Sequence, residues 1–228
     1  MNGFEKHGLK HSSASQINMW VDAPCAWVAK YIYGQSFHFS AAAQVGVITE
    51  DVVADTLMGM SFEDALLKGR GVFKKNNAFN VNEKDLERES HIQPMAELAL
   101  GKLKQYGEPE FIKTANGYNQ QKITVTCAGS GWSIPIIGYL DFVYPKHGLV
   151  VDLKTTQRLP STMTAAHKRQ GALYAHARGD MDVKFLYVTP KAFKWIDIED
   201  KDTTLGYIKE ILKRQQAFLR FLDKEQMK

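Results

Sequence analysis

Two cysteines in 228 residues, Cys25 and Cys127, are too few for a thiolate-only zinc or iron–sulfur site, and neither belongs to a Cys-x-x-Cys pair. The plain reading is two reduced thiols in a cytosolic protein. No apolar run approaches the ~20 residues that a membrane helix needs. The stretch from Met1 to His11 is polar and lacks the apolar heart of a signal peptide, so a cytoplasmic protein without membrane association is expected. Internal repeats, low-complexity blocks and Pro- or Ser-rich linkers are missing, which favours one domain over residues 1–228. Charge is not lopsided: 29 Lys and Arg against 25 Asp and Glu give +4. That balance suits a polyanionic partner only if the positive charge is gathered in a groove. The seven histidines are scattered without metal-binding spacing; His167, one turn before Gln170, is the one of interest.

What is present changes period halfway along the chain. Ser13-Ala14-Ser15-Gln16 has capping-box spacing, with Ile17, Trp20 and Val21 following at helical intervals. Pro24 restarts a helix carrying Trp27, Val28 and Tyr31. A longer helix is expected from Ala41 to Met58, and Ser61 caps a short one after it. Arg70 to Val81, basic and Asn-rich, reads as a surface loop. Asn82 then caps a helix to about Tyr106, bent or split at Pro94. From Lys122 the pattern alternates. Strands are expected at Lys122 to Cys127, Ile134 to Val143 and Leu149 to Lys154, the last two joined by the turn Tyr144-Pro145-Lys146-His147-Gly148. A helix from Thr162 to Ala177, strands at Val183 to Val188 and Phe193 to Ile198, and a closing helix from Thr203 complete the order. The closing helix carries Leu205, Ile208, Leu212, Phe218, Leu219 and Leu222 on its inner side. The expected fold class is mixed α/β, a central mixed sheet flanked by helices with a helical N-terminal region.

Asp152 and Lys154 are two apart on a strand and leave the same face, whereas Leu153 points the other way. Antiparallel pairing across the turn brings Asp141 beside Asp152. Two converging carboxylates repel each other unless a cation stands between them, and oxygen ligands suit Mg²⁺ or Mn²⁺. Such an ion acidifies water and offsets charge on a phosphate, while Lys154 orients or deprotonates the nucleophile. A bare Asp-x-Lys is often just the exposed face of an edge strand, but Leu149-Val150-Val151 and Leu153 are too apolar for an edge. Gln170 and Tyr174 share one face of the following helix, with Gln170 placed to brace the lysine, a metal-bound water or a DNA end. Gly171 costs that helix about 1 kcal/mol relative to alanine, which a close packing partner would explain.

With Gly138 and Asp141, then Asp152 and Lys154, then Gln170 and Tyr174, the segment resembles the PD-(D/E)XK nuclease superfamily in its RecB-type and phage-exonuclease branch. That branch carries G-x-x-D, then (D/E)-x-K, then Q-x-x-x-Y. Ser15-Gln16-Ile17 through Pro24-Cys25 and Tyr31 resembles the family's N-terminal helix more weakly. The resemblance covers the N-terminal helices and about residues 120–190. It implies a restriction-endonuclease-like core and hydrolysis of DNA with Mg²⁺ or Mn²⁺. The ion would be held by Asp141, Asp152 and the Leu153 backbone carbonyl, beside catalytic Lys154, Gln170 and Tyr174. RecB-type members carry a histidine on an early helix; here Gly46-Val47-Ile48-Thr49-Glu50 places Glu50 there, a residue other branches use as a further ligand. Val45, Ile48, Val52, Val53 and Leu57 form that helix's apolar arc with Glu50 on its border, and Asp51 and Asp55 read as solvated. The cysteine set of iron–sulfur relatives is missing, so no cluster is expected.

The expected partner is DNA, as duplex ends or single strands, with Arg169, Lys168, Lys30 and Arg70 as phosphate contacts and Lys74 and Lys75 nearby. Trp20, Trp27 and Tyr31 could stack on bases, although their helical spacing favours a core role. By resemblance to the lambda-type group, a 5′→3′ exonuclease serving phage recombination or DNA degradation is implied. A trimeric ring and a single-strand annealing or binding protein as partner are implied likewise. A structure-specific or restriction-like endonuclease, a non-catalytic DNA-binding module and a metal-binding structural domain remain open alternatives. The intact Asp141, Asp152 and Lys154 set argues against the non-catalytic module. The metal-binding structural domain gives Lys154 no purpose.

Overall fold

A computed structural model describes residues 2–37, 39–114, 117–126 and 134–222, without side chains for 112–119. Helices lead the chain: α1 (Gly3–Lys6), a two-residue strand β1 (Ser12–Ser13), α2 (Ala14–Asp22), α3 (Pro24–Tyr31), α4 (Ala41–Leu57), α5 (Phe62–Asn76), α6 (Glu83–Leu86) and α7 (Ile92–Leu103). Ser13, Ser40 and Ser61 cap α2, α4 and α5 through side-chain oxygens that accept the third backbone N–H beyond, and Pro24 opens α3 where no N–H is required. Strands follow as β2 (Ile112–Thr114), β3 (Gly117–Asn119), β4 (Gln121–Val125), β5 (Ile136–Leu140), β6 (Phe142–Tyr144) and β7 (Leu149–Thr155). Then come α8 (Ala165–Ala177), β8 (Asp182–Val188), β9 (Phe193–Asp197) and α9 (Lys201–Phe221). The class is mixed α/β, as expected.

The main sheet runs β6-β7-β8-β9, with β7 and β8 parallel and both flanking pairs antiparallel. A second sheet runs β1-β5-β4. Strand β7 is therefore central in its sheet, which explains its unbroken apolar run. Its alternate residues feed two cores. Val151 and Leu153 join Val45, Ile48 and Val52 of α4 and Met95 and Ala99 of α7. Val150, on the opposite face, joins Leu173 of α8 and Ile208 and Leu212 of α9. Asp152 and Lys154 share that second face, beneath α8.

Several expectations need correction. The strand expected over Ile134 to Val143 breaks at Asp141: β5 belongs to the small sheet and β6 to the main one. The basic stretch from Arg70 is not a loop before Asn76, because Leu66, Gly69 and Phe73 keep helical spacing and bury one face of α5. The helix after Asn82 splits at a 3₁₀ segment, Glu87–His91, ahead of Pro94, which lies in the first turn of α7. Asp55 is buried and paired with Lys68 at 2.7 Å, not solvated. Phe218 is 40% exposed rather than on the inner face of α9. Strands β1, β2 and β3 were not anticipated, being too short to show a period. Cys127 lies outside the described residues, and Cys25 is an exposed free thiol. No helix among the described residues is long and apolar enough to cross a membrane.

Gly171 does have a close packing partner. A Cβ there would meet Ile198 Cδ1 at 2.6 Å and the Phe185 ring at 2.9 Å. Gly171→Ala should therefore destabilise the fold by about 1–3 kcal/mol through overpacking, despite the ~1 kcal/mol that alanine adds to an unconstrained helix. Urea unfolding of the two proteins checks the sign.

Candidate functional site

The break in the β5–β6 strand puts Asp141 where the two sheets meet. Gln121 pairs with Leu140 on one side, and Phe142 pairs with Val151 on the other. Continuing both registers by one residue sets Gln120 and Asp152 on either flank of Asp141. Asp141 is buried, accepts the Leu153 backbone N–H on Oδ2 at 2.9 Å, and accepts the Gln120 amide on Oδ1 at 2.9 Å. The same Gln120 nitrogen donates to Glu50 Oε1. Asp152 is fully buried; Lys154 contacts its Oδ1, and Gln170 Nε2 donates to its Oδ2 at 2.9 Å. Gln170 also donates to the Tyr174 hydroxyl at 2.9 Å, which in turn donates to the Tyr139 carbonyl at 2.7 Å. Helix α8 is thus tied to both acid-bearing strands.

Two glycines make room for this assembly. A Cβ on Gly138 would meet the Tyr174 ring at 2.7 Å, so the ring lies directly on the β5 backbone. A Cβ on Gly46, one turn before Glu50, would stand 3.0 Å from Thr155 Oγ1, so α4 approaches the end of β7 closely there. The structure therefore brings together Glu50, Asp141, Asp152, Lys154, Gln170 and Tyr174. Gln170 braces the Asp152 carboxylate rather than the lysine.

The electrostatics are those of crowded acids. Burial first, then the charge on Asp152, raises Glu50 from 4.5 to about 7. Burial followed by Glu50 and Asp152 pushes Asp141 well above the ordinary range, against the pull of the Leu153 N–H. Asp152 is raised by burial despite Lys154. Burial works to lower Lys154, but Asp152, Asp141 and Glu50 outweigh it and hold the ammonium protonated. As it stands, Lys154 is a donor and not a base.

These acids fit a hard divalent cation by donor chemistry, being oxygen-only, buried and mutually destabilised. Among the described residues no three His, Cys, Asp or Glu side chains close into a ready ligand cage. Hydrogen-bond donors intervene: the Lys154 ammonium on Asp152, and the neutral Gln120 amide between Glu50 and Asp141.

Of the acids, Asp141 opens onto a cavity of about 680 Å³, which it borders with Lys154, Gln170, Gln120, His167 and the first turns of α2 and α8; Asp152 and Glu50 lie behind these side chains. Arg169 sits beside it, its Nε donating to Asn18 of the cavity wall at 2.6 Å. The other expected cations lie elsewhere. Lys168 faces a separate depression with Lys194 and Trp195. Lys30 lies over the Tyr31 ring, and Arg70 is held by Gln93 and Glu89. Trp27 is fully buried and packs against Trp20 and Tyr31, which accords with a core role. Sequence reasoning missed Gln120, which belongs to no motif; only the strand register singles it out.

No protein-family model and no curated protein matches the chain. Among solved structures, SSO0001 is similar at a TM-score of 0.41 and 12% identity, over 88% of this chain and 83% of that one.

His167 stacks on Phe185, and its Nδ1 is 2.7 Å from the Tyr187 hydroxyl. Burial, then Lys154, lowers it from 6.5 to about 4. Because the folded state binds this proton more weakly than the unfolded chain, its contribution is full above pH 6.5 and is lost as pH falls toward 4. A His167→Gln variant should therefore gain relative to wild type across that window, read as the difference in thermal midpoints at each pH.

Proposed function

We propose that the chain is a divalent-metal-dependent deoxyribonuclease, acting as an exonuclease. The observation that carries this reading is the convergence of Asp141, at the junction of the two sheets, with Asp152 and Lys154 of β7, beside a cavity that Asp141, Lys154 and Gln170 line and with Glu50 adjacent. Residues arranged as in the PD-(D/E)XK pattern, in a mixed α/β fold, support it.

Mg²⁺ or Mn²⁺ held by Asp141, Asp152 and Glu50, with the Leu153 carbonyl, would lower the pKa of a bound water and neutralise charge on the phosphate. The chain's own groups do the rest. The Lys154 ammonium, kept protonated, donates to the attacking water or to a phosphate oxygen and offsets charge that grows during hydrolysis. Gln170 fixes Asp152, and the Leu153 N–H fixes Asp141, so neither acid must reorganise as substrate enters. The first turns of α2 and α8 border the cavity, and the positive ends of two helix dipoles favour a phosphodiester chain there. Arg169 lies beside the same rim.

Purified protein with Mg²⁺ or Mn²⁺ on linear, closed circular and single-stranded DNA labelled at either end tests the reading. Loss of linear DNA with closed circles spared supports exonuclease action; cutting of circles moves the reading to an endonuclease. Lys154→Ala and Asp152→Ala should each lower the rate by at least about 100-fold. Wild-type rates in both variants would remove the site from consideration.

A further inference from the structure

Gln120 belongs to no motif, yet its amide touches two of the acids at once. Its nitrogen donates to Asp141 Oδ1 at 2.9 Å and to Glu50 Oε1. A primary amide has two protons, and here one serves each carboxylate. The position is set by the backbone. The antiparallel ladder of β4 and β5 ends with Gln121 opposite Leu140, so the preceding residue stands across from Asp141 at the sheet junction. From there the side chain lines the cavity, between an acid on α4 and an acid at the strand break.

A divalent cation takes oxygen lone pairs, and an N–H donor takes the same lone pairs. An ion that draws on Glu50 Oε1 and Asp141 Oδ1 through the lone pairs that face Gln120 has to displace its N–H groups from them. We infer that Gln120 is a positioning residue that holds Glu50 and Asp141 together in the metal-free protein and competes with the divalent cation for their oxygens. The inference rests on the metal-dependent reading of the site given above.

Its consequence follows from linkage. An interaction present only in the metal-free state stabilises that state, and it weakens metal binding by the same factor. Removing the donor should weaken the metal-free fold and tighten the ion. An amide that instead turned its Oε1 to the ion as a ligand would give the opposite sign, with binding weakened on its removal. A side chain that merely fills space would shift unfolding equally with and without metal.

The test is calorimetric titration of Mn²⁺ into chelator-treated wild type, Gln120→Leu and Gln120→Met, paired with thermal unfolding of each in EDTA and in saturating Mn²⁺. Both variants should bind Mn²⁺ at least about tenfold tighter, since two charge-assisted hydrogen bonds are removed and one alone is worth about that much. Their unfolding midpoints should fall in EDTA and match wild type in Mn²⁺. Equal or weaker Mn²⁺ binding in the variants overturns the inference while leaving the metal-dependent reading intact. Wild type that takes up no Mn²⁺ overturns that reading, and the inference with it. If the leucine variant does not fold in EDTA, the methionine variant carries the same comparison.

Discussion

A carboxylate with no exposure to solvent is the constraint around which this molecule is arranged. Asp152 lies at the centre of the main sheet, where an unpaired charge would be driven to neutrality or would disrupt the fold. It is retained because Lys154 meets one oxygen from the same strand and Gln170 meets the other from α8. Removing one partner of such a buried pair typically costs about 3–5 kcal/mol. The position of α8, the close Gly138–Tyr174 packing and the Gly171 contact with Phe185 all serve the approach of Gln170 to that oxygen.

The remaining acids oppose stability in the metal-free state. Burial and mutual repulsion raise Glu50 and Asp141, so the folded protein holds their protons more firmly than the unfolded chain does. For Glu50 the sign is fixed by its shift from 4.5 to about 7: its contribution becomes less favourable as pH rises through that interval. A site that concentrates electrostatic cost in three neighbouring acids next to one cavity has the character of a functional centre. It also explains why Gln120, the Leu153 N–H and Gln170 each place a hydrogen bond on a carboxylate oxygen.

Much of this was legible in the residues because period and spacing are local properties. The run Leu149 to Lys154 reads as a central strand with two polar residues on one face, and the i, i+4 spacing of Gln170 and Tyr174 places both over it. Glu50 on the border of an apolar arc was readable for the same reason. What escaped was set by tertiary pairing. The break at Asp141 depends on two sheets competing for one strand, and Gln120 depends on the register of a ladder whose partner lies some twenty positions away. The burial of Asp55 required Lys68 from the next helix. Basic residues on α5 suggested a loop because charge density masked the narrow stripe of Leu66, Gly69 and Phe73.

The bent strand at Asp141 gives the molecule a geometric property of its own. One residue links the two sheets, so the angle between them is also the angle at which Gln120 approaches Asp141. The acid cluster lies at the vertex between the two sheets, so side chains that fix their splay also fix how Gln120 stands against Asp141.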